Sequence, residues 1–138
     1  DFIFDGGTTE HIYNIPQVYD NIINMLNMGG IFCSVTANNN FSGHGFYQFS
    51  PEFFIQTFSR KYGMEIIGLY LAEVDTPFDK WVLMKDMKFF DSGRNEFMFN
   101  STRQTYIITI ARKISIGESL FDFIPQQFSY NEIDWKKT

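Results

Sequence analysis

The sequence predicts an α/β domain that resembles the second half of a doubly wound sheet, mostly parallel, with a final antiparallel hairpin. Two observations predict this class. The elements read in the order strand, helix, strand, helix, strand, strand, and the first three fit within residues 2–36. A strand, helix and strand so close together favour parallel pairing with a right-handed crossover. In addition, 138 residues with 44% apolar content are enough to bury a core.

The first elements are predicted from the spacing of apolar residues. Residues 2–4 form a short apolar strand, closed by the turn signal Asp5-Gly6-Gly7, and Thr8 or Thr9 can cap the next element. Between residues 16 and 28 the apolar positions recur at helical spacing, and Gly29-Gly30 supplies a stop. The continuous apolar run over residues 31–36 is typical of a buried strand.

The later elements are predicted in the same way. Ser50-Pro51-Glu52 predicts the start of a helix that continues to residue 62. Residues 64–74 and 104–113 are predicted strands, while residues 81–84 are either a short strand or an insertion. The stretch 114–138 has no strong helical pattern, and we expect it to be a tail that packs on the body or on a partner.

Composition and charge exclude several classes of protein. A net charge of −5 argues against a sequence-independent nucleic-acid surface, which needs an excess of Lys and Arg. No apolar run reaches the roughly 18 residues of a membrane span, so we expect no membrane partner. The single cysteine, Cys33, excludes an internal disulfide and predicts a reducing, cytoplasmic environment. Aromatic residues make up 19% of the chain, so rings are expected to dominate the core.

Three segments, taken in order, resemble the class I S-adenosylmethionine-dependent methyltransferase family. They are DFIFDGGTTEHI at residues 1–12, LNMGGIF at residues 26–32 and YIITIARK at residues 106–113. In that family the fourth strand often ends in an Asp-x-Ile-type run, and a loop with Glu-His, a helix and a Leu-Lys-Pro-Gly-Gly turn lead into the fifth. The family's seventh strand forms an antiparallel hairpin with the sixth. Here Asn27 and Met28 replace the usual Lys-Pro.

The resemblance covers residues 1–113 and implies the C-terminal half of a Rossmann-like catalytic domain, followed by the tail 114–138. The family binds S-adenosylmethionine mainly through its first half, where a glycine-rich loop follows the first strand. Gly43-His44-Gly45 is no substitute, because it follows the wrong strand and lacks the third glycine. Since the sequence opens inside an apolar strand pattern, we expect the chain to need an N-terminal half or to associate with another copy.

The loop after the first strand is the predicted cofactor side of the site, because open α/β sheets place ligands at strand ends. The resemblance implies that Asp5, Gly6, Gly7 and Thr8 flank the methionine end of S-adenosylmethionine. Glu10 and His11 are candidate catalytic residues, and His11 could accept a proton from a hydroxyl or amine. The alternative is that these residues only form a turn, anchor the loop and cap a helix.

The loop after the second strand is the predicted acceptor side. His44 is a candidate for contacting the acceptor or acting as its base, and otherwise it is exposed or stabilises the loop. Asn38 and Asn39 could bond sugar hydroxyls, while the rings of Phe46 and Tyr47 stack on a sugar face. This segment is similar to a subset of the family that we associate with sugar, glycan or small-metabolite pathways. Two histidines far apart and one cysteine predict no metal site.

The sequence thus predicts methyl transfer from S-adenosylmethionine to a small acceptor, a saccharide or metabolite hydroxyl or amine. Two alternatives stay open. One is a non-enzymatic methyltransferase-like module that associates through an exposed sheet edge and its aromatic surface. The other is a nucleotide-binding α/β protein of another kind, with its phosphate loop upstream.

Overall fold

A computed structural model describes residues 1–73, 81–84 and 101–126. These residues form a mixed α/β fold with an open five-stranded sheet, two α-helices and two short 3₁₀ helices. The strands are β1 (Phe2–Asp5), β2 (Ile31–Asn39), β3 (Met64–Glu73), β4 (Trp81–Leu83) and β5 (Thr105–Lys113). The helices are α1 (Ile15–Met25) and α2 (Pro51–Thr57), and the 3₁₀ helices cover Thr9–His11 and Arg60–Tyr62.

The strands lie in the order β1-β2-β5-β3-β4. β1 and β2 pair in parallel around α1, which confirms the parallel pairing predicted for the first unit. The other three adjacent pairs are antiparallel, so the prediction of a mostly parallel sheet is wrong at the level of pairing. The physical reason is the position of β5, which lies between β2 and β3 and runs against both. As a consequence, β1, β2 and β3 all run in the same direction.

Helix α1 begins one residue before Pro16 and ends at Met25, earlier than the predicted residue 28. It ends there because Leu26 is already extended, at φ −73° and ψ 134°. Gly29 then adopts φ +80°, a conformation that favours glycine. One face of α1 is buried through its apolar positions, Ile15, Tyr19, Ile22 and Ile23.

Helix α2 begins as the sequence predicts, with the hydroxyl of Ser50 accepting a hydrogen bond from the N–H of Phe53 at 3.2 Å. The predicted helix to residue 62 is interrupted, because Ser59 is extended between α2 and the second 3₁₀ helix. That 3₁₀ helix ends at Gly63, which has φ +77°. A side chain at Gly63 would also collide with the backbone of Ser115, which crosses closely at this point.

Aromatic rings fill the core between the sheet and the helices, as the composition predicts. Tyr19 of α1 is fully buried at its centre. Its ring meets the rings of five phenylalanines at centroid distances of 5.5–6.2 Å, mostly edge to face: Phe32, Phe49, Phe53, Phe54 and Phe58. Such edge-on pairs add to the stabilisation from burial itself.

The first part of the predicted tail lies against the body of the domain. Leu120 is buried in the core, and Asp20 of α1 accepts hydrogen bonds from the N–H of Leu120 and the hydroxyl of Ser119 at 3.1 and 3.0 Å. Residues 127–138 of the predicted tail lie outside the described residues. In the described ranges, no helix is both long and apolar enough to cross a membrane.

Candidate functional site

The loop after β1 is organised by the buried carboxylate of Asp5. Its Oδ1 accepts from the N–H of Thr8 at 2.9 Å and of Thr9 at 3.4 Å, and its Oδ2 accepts from the hydroxyl of Thr9 at 2.7 Å. Asp5 therefore caps the 3₁₀ helix, whereas the predicted cap residue Thr8 makes no such bond with its side chain. Both carboxylate oxygens of Asp5 are used inside the loop.

Tyr19 connects this loop to the core. Because the hydroxyl hydrogen of Thr9 goes to Asp5, the hydroxyl of Tyr19 is the donor in its 3.1 Å bond with Thr9. Burial raises the pKa of Tyr19 far above its ordinary value; the bond with Thr9 acts to lower it, and the charge of Asp5 raises it further. Tyr19 therefore stays protonated and remains a donor to the loop.

The loop after β2 folds back onto Glu10. The N–H groups of Phe46 and Tyr47 donate to the carbonyl oxygen of Glu10 at 2.7 and 3.2 Å. Gly45 makes this approach possible, since it has φ +69° and a Cβ there would lie 2.8 Å from that carbonyl oxygen. The hydroxyl of Tyr47 also donates to the carbonyl oxygen of Tyr13 at 2.6 Å, which ties the two loops together a second time.

This contact between loops brings Glu10, His11 and His44 into one cluster. The Glu10 side chain is only 1% exposed, and its Oε1 lies 3.7 Å from His44 Nε2. The imidazole rings of His11 and His44 meet edge to face, with centroids 4.7 Å apart. One potential ligand atom from each of the three residues lies within 4.8 Å of the others.

The cluster brings together two histidines that are far apart in the sequence, a separation from which we predicted no ligand set. β1 and β2 are parallel neighbours, so the loops after them leave the sheet at the same edge. The sequence carried a signal for this: His11 and His44 each come after one of two strands already predicted to pair in parallel.

Glu10 Oε2 is buried and has no hydrogen-bond partner among the described residues. A buried polar atom without a partner is costly, and four other side-chain atoms of the described residues share this condition, in Ser34, Thr36, Gln56 and Thr109.

The other predicted site residues fall into two groups. The amide of Asn38 is used structurally, since it donates to the carbonyl oxygen of Phe49 at 2.7 Å and accepts from the hydroxyl of Thr105 at 3.1 Å. The predicted residues Gly6, Thr8 and Asn39 are exposed at the strand ends, and the backbone of Gly7 has φ +91°. Among the predicted rings, Phe46 is 65% exposed, whereas Tyr47 is half-buried and stacks on Phe49.

Two aromatic rings beside the cluster were not predicted as site residues from the sequence. Tyr13 is 77% exposed and meets Phe46 edge to face, with centroids 5.7 Å apart. Phe41 is buried below His44, with ring centroids 5.6 Å apart, and packs in turn on Tyr106. The closeness of Tyr13 to His11 in the sequence was the available signal for the first ring, whereas the contact of Phe41 is visible only in the fold.

No protein-family model and no curated protein matches this chain. The function is therefore inferred from the geometry and the chemistry of the residues. Besides the cluster, a groove of about 630 Å³ lies between α2 and residues 120–126. It shares no residue with the cluster, and its lining extends to Gln126, where the described part of the chain ends.

Gly45→Ala should undo the docking of the second loop on Glu10. The new Cβ would meet a backbone oxygen at 2.8 Å in a conformation that alanine rarely adopts, so we expect a loss of about 1–3 kcal/mol in the free energy of unfolding. Gly43→Ala is the matched control, because a Cβ there meets nothing within 4 Å. Urea unfolding followed by circular dichroism measures both, and equal stabilities of the two variants would contradict the proposed docking.

Proposed function

We propose that this chain is the acceptor-binding part of an S-adenosylmethionine-dependent methyltransferase that acts on a small molecule. The observation that carries the proposal is the cluster of Glu10, His11 and His44 where β1 and β2 end. Open α/β sheets bind their ligands outside the carboxyl ends of parallel strands, and this is where the cluster lies.

Two strand pairings support the family assignment. The parallel β1–α1–β2 unit is the arrangement that the resemblance implies for the family's fourth and fifth strands. The antiparallel pairing of β3 with β5 is the one that it implies for the last two strands. A Rossmann-like sheet completed by strands outside this chain belongs to the proposal, as does S-adenosylmethionine as the cofactor.

In the proposed reaction, an oxygen or nitrogen of the acceptor attacks the methyl carbon. The carbon–sulfur bond breaks, and the sulfur leaves as a neutral thioether. His44 is suited to holding the acceptor and taking up its proton. Its side chain is 49% exposed, and the buried Oε1 of Glu10 lies 3.7 Å from its Nε2. The loop of Gly6, Gly7 and Thr8 would line the side from which the methyl group comes, and Asp5 would hold that loop in shape.

The surroundings of the cluster favour an acceptor with an apolar face and several hydroxyls. Tyr13 and Phe46 present exposed rings next to the histidines, and flat apolar surfaces of this kind pack well on sugar rings. Asn39 supplies an exposed amide at the end of β2. We therefore propose a saccharide or a small hydroxylated metabolite as the acceptor.

The test uses the polypeptide extended N-terminally by about 80–120 residues, the length of a few βα units. Calorimetry should detect binding of S-adenosylmethionine, and a radiolabelled methyl group should pass to a saccharide acceptor. His44→Asn is expected to lower kcat by about 10²–10⁴ without weakening cofactor binding. Glu118→Gln, an exposed change outside the cluster, is the control. Absence of cofactor binding in the extended wild-type protein would refute the proposal.

One observation favours the alternative of a non-enzymatic interaction module. β1 lies at an edge of the described sheet, and the alternating residues Phe2 and Phe4 expose their rings on one face of it. Sedimentation of the same samples separates the two functions. Self-association that Phe4→Ser abolishes, together with no binding of S-adenosylmethionine, would support the module.

A further inference from the structure

We propose that Glu10, His11 and His44 bind one divalent transition-metal ion, with Zn²⁺ as the natural probe. Two imidazole nitrogens and one carboxylate are a donor set that suits zinc, iron and related ions. The chain contains only two histidines, and the fold brings both to the same buried carboxylate.

The distances in the cluster are close to those of a ligated ion. Ligands at about 2.0–2.2 Å from a metal lie roughly 3.0–3.6 Å from one another. The separation of His44 Nε2 and Glu10 Oε1 is 3.7 Å, and all three donor atoms lie within 4.8 Å. Both histidines are exposed, whereas Glu10 is buried.

The burial of the Glu10 carboxylate is a further observation. Glu10 is only 1% exposed, and its Oε2 has no hydrogen-bond partner among the described residues. A metal ion bound through Glu10 Oε1, the oxygen that lies 3.7 Å from His44 Nε2, would compensate part of the cost of burying this carboxylate. The backbone around Glu10 is already held by the two N–H donors of the second loop, so the carboxylate is presented on a fixed support.

The ion would have an open position. Three protein ligands leave at least one coordination position for water or for an oxygen or nitrogen of a small molecule. Metal binding does not depend on methyl transfer. If both proposals hold, the ion rather than His44 contacts the acceptor, and this consequence alone rests on the proposed function.

The test is titration of ZnCl₂ into the untagged 138-residue chain after treatment with EDTA, followed by calorimetry. Co²⁺, which gives visible absorption bands when bound by protein ligands, is added in a parallel titration. We expect one ion per chain. His11→Asn, His44→Asn and Glu10→Gln should each weaken the affinity at least about tenfold and reduce the cobalt absorption.

Two controls separate the cluster from other donors. Cys33→Ser removes the only thiol, whose pKa is raised by burial, and Glu118→Gln removes an exposed carboxylate. Both should bind zinc as the wild type does. Circular dichroism checks folding, and His44→Asn decides the result if Glu10→Gln does not fold, because His44 lies on an exposed loop. No binding by the wild type, or binding that survives both histidine changes, would overturn the proposal.

Discussion

Tyr19→Ala is expected to lower the free energy of unfolding by about 3–5 kcal/mol, because it removes a fully buried ring and leaves a cavity. The ring contacts five phenylalanines that come from β2, α2 and the residues flanking α2. Those rings cannot all move inward to fill the space, because each phenylalanine ring also packs against another of the five. Urea unfolding measures the change.

Tyr19→Phe separates the ring from its hydroxyl. It keeps the packing and removes only the bond to Thr9, so a loss of about 1 kcal/mol is expected. Tyr13→Ala, at a ring that is largely exposed, should change stability by less than about 0.5 kcal/mol. If Tyr19→Phe cost as much as Tyr19→Ala, the bond to the loop rather than the packing of the ring would be the main source of stability.

Asp5→Ala is expected to cost about 3 kcal/mol, since hydrogen bonds to a charged acceptor are among the stronger ones. The change leaves the N–H groups of Thr8 and Thr9 and the hydroxyl of Thr9 without their acceptor. The 3₁₀ helix that carries Glu10 and His11 loses its cap at the same time. We therefore expect the change to disturb the positions of Glu10 and His11 as well as to lower the free energy of unfolding.

Two measurements test this expectation. Urea unfolding gives the stability, and Asp122→Ala, at an exposed carboxylate, is the matched control. The nuclear Overhauser effect between the rings of His11 and His44, which lie 4.7 Å apart, reports on the cluster. A variant that loses stability but keeps this ring contact would show that Asp5 supports the fold without positioning the cluster.

Much of the local structure could be predicted from short stretches of sequence. Ser50 caps α2, Pro16 lies in the first turn of α1, and β1 pairs in parallel with β2, as expected. These features depend on residues a few positions apart or on one compact βαβ unit. The helix ends were less predictable, since Ser59 is extended although the helical spacing of aromatic residues continues from Phe58 to Tyr62.

The contact among Glu10, His11 and His44 could not be predicted from the sequence. The individual residues were candidates, because Glu10, His11 and His44 come after predicted strands. Their contact depends on the docking of Gly45 and Phe46 against the carbonyl oxygen of Glu10, which no local pattern encodes. The use of the Asn38 side chain to join the loop to β5 likewise requires a partner that lies far along the chain.

Short-range patterns in the amino-acid sequence are enough to predict the mixed α/β class, the ring-filled core and the strand-end loops that carry the candidate side chains. Periodicity and capping residues act over a few positions, which is why these features can be recognised locally. The position of β5 between β2 and β3 is visible only in the folded chain, and so is the approach of both histidines to one buried carboxylate. Strand order and contacts between loops are set by the packing of residues distant in sequence, because many strand orders satisfy the same local pattern.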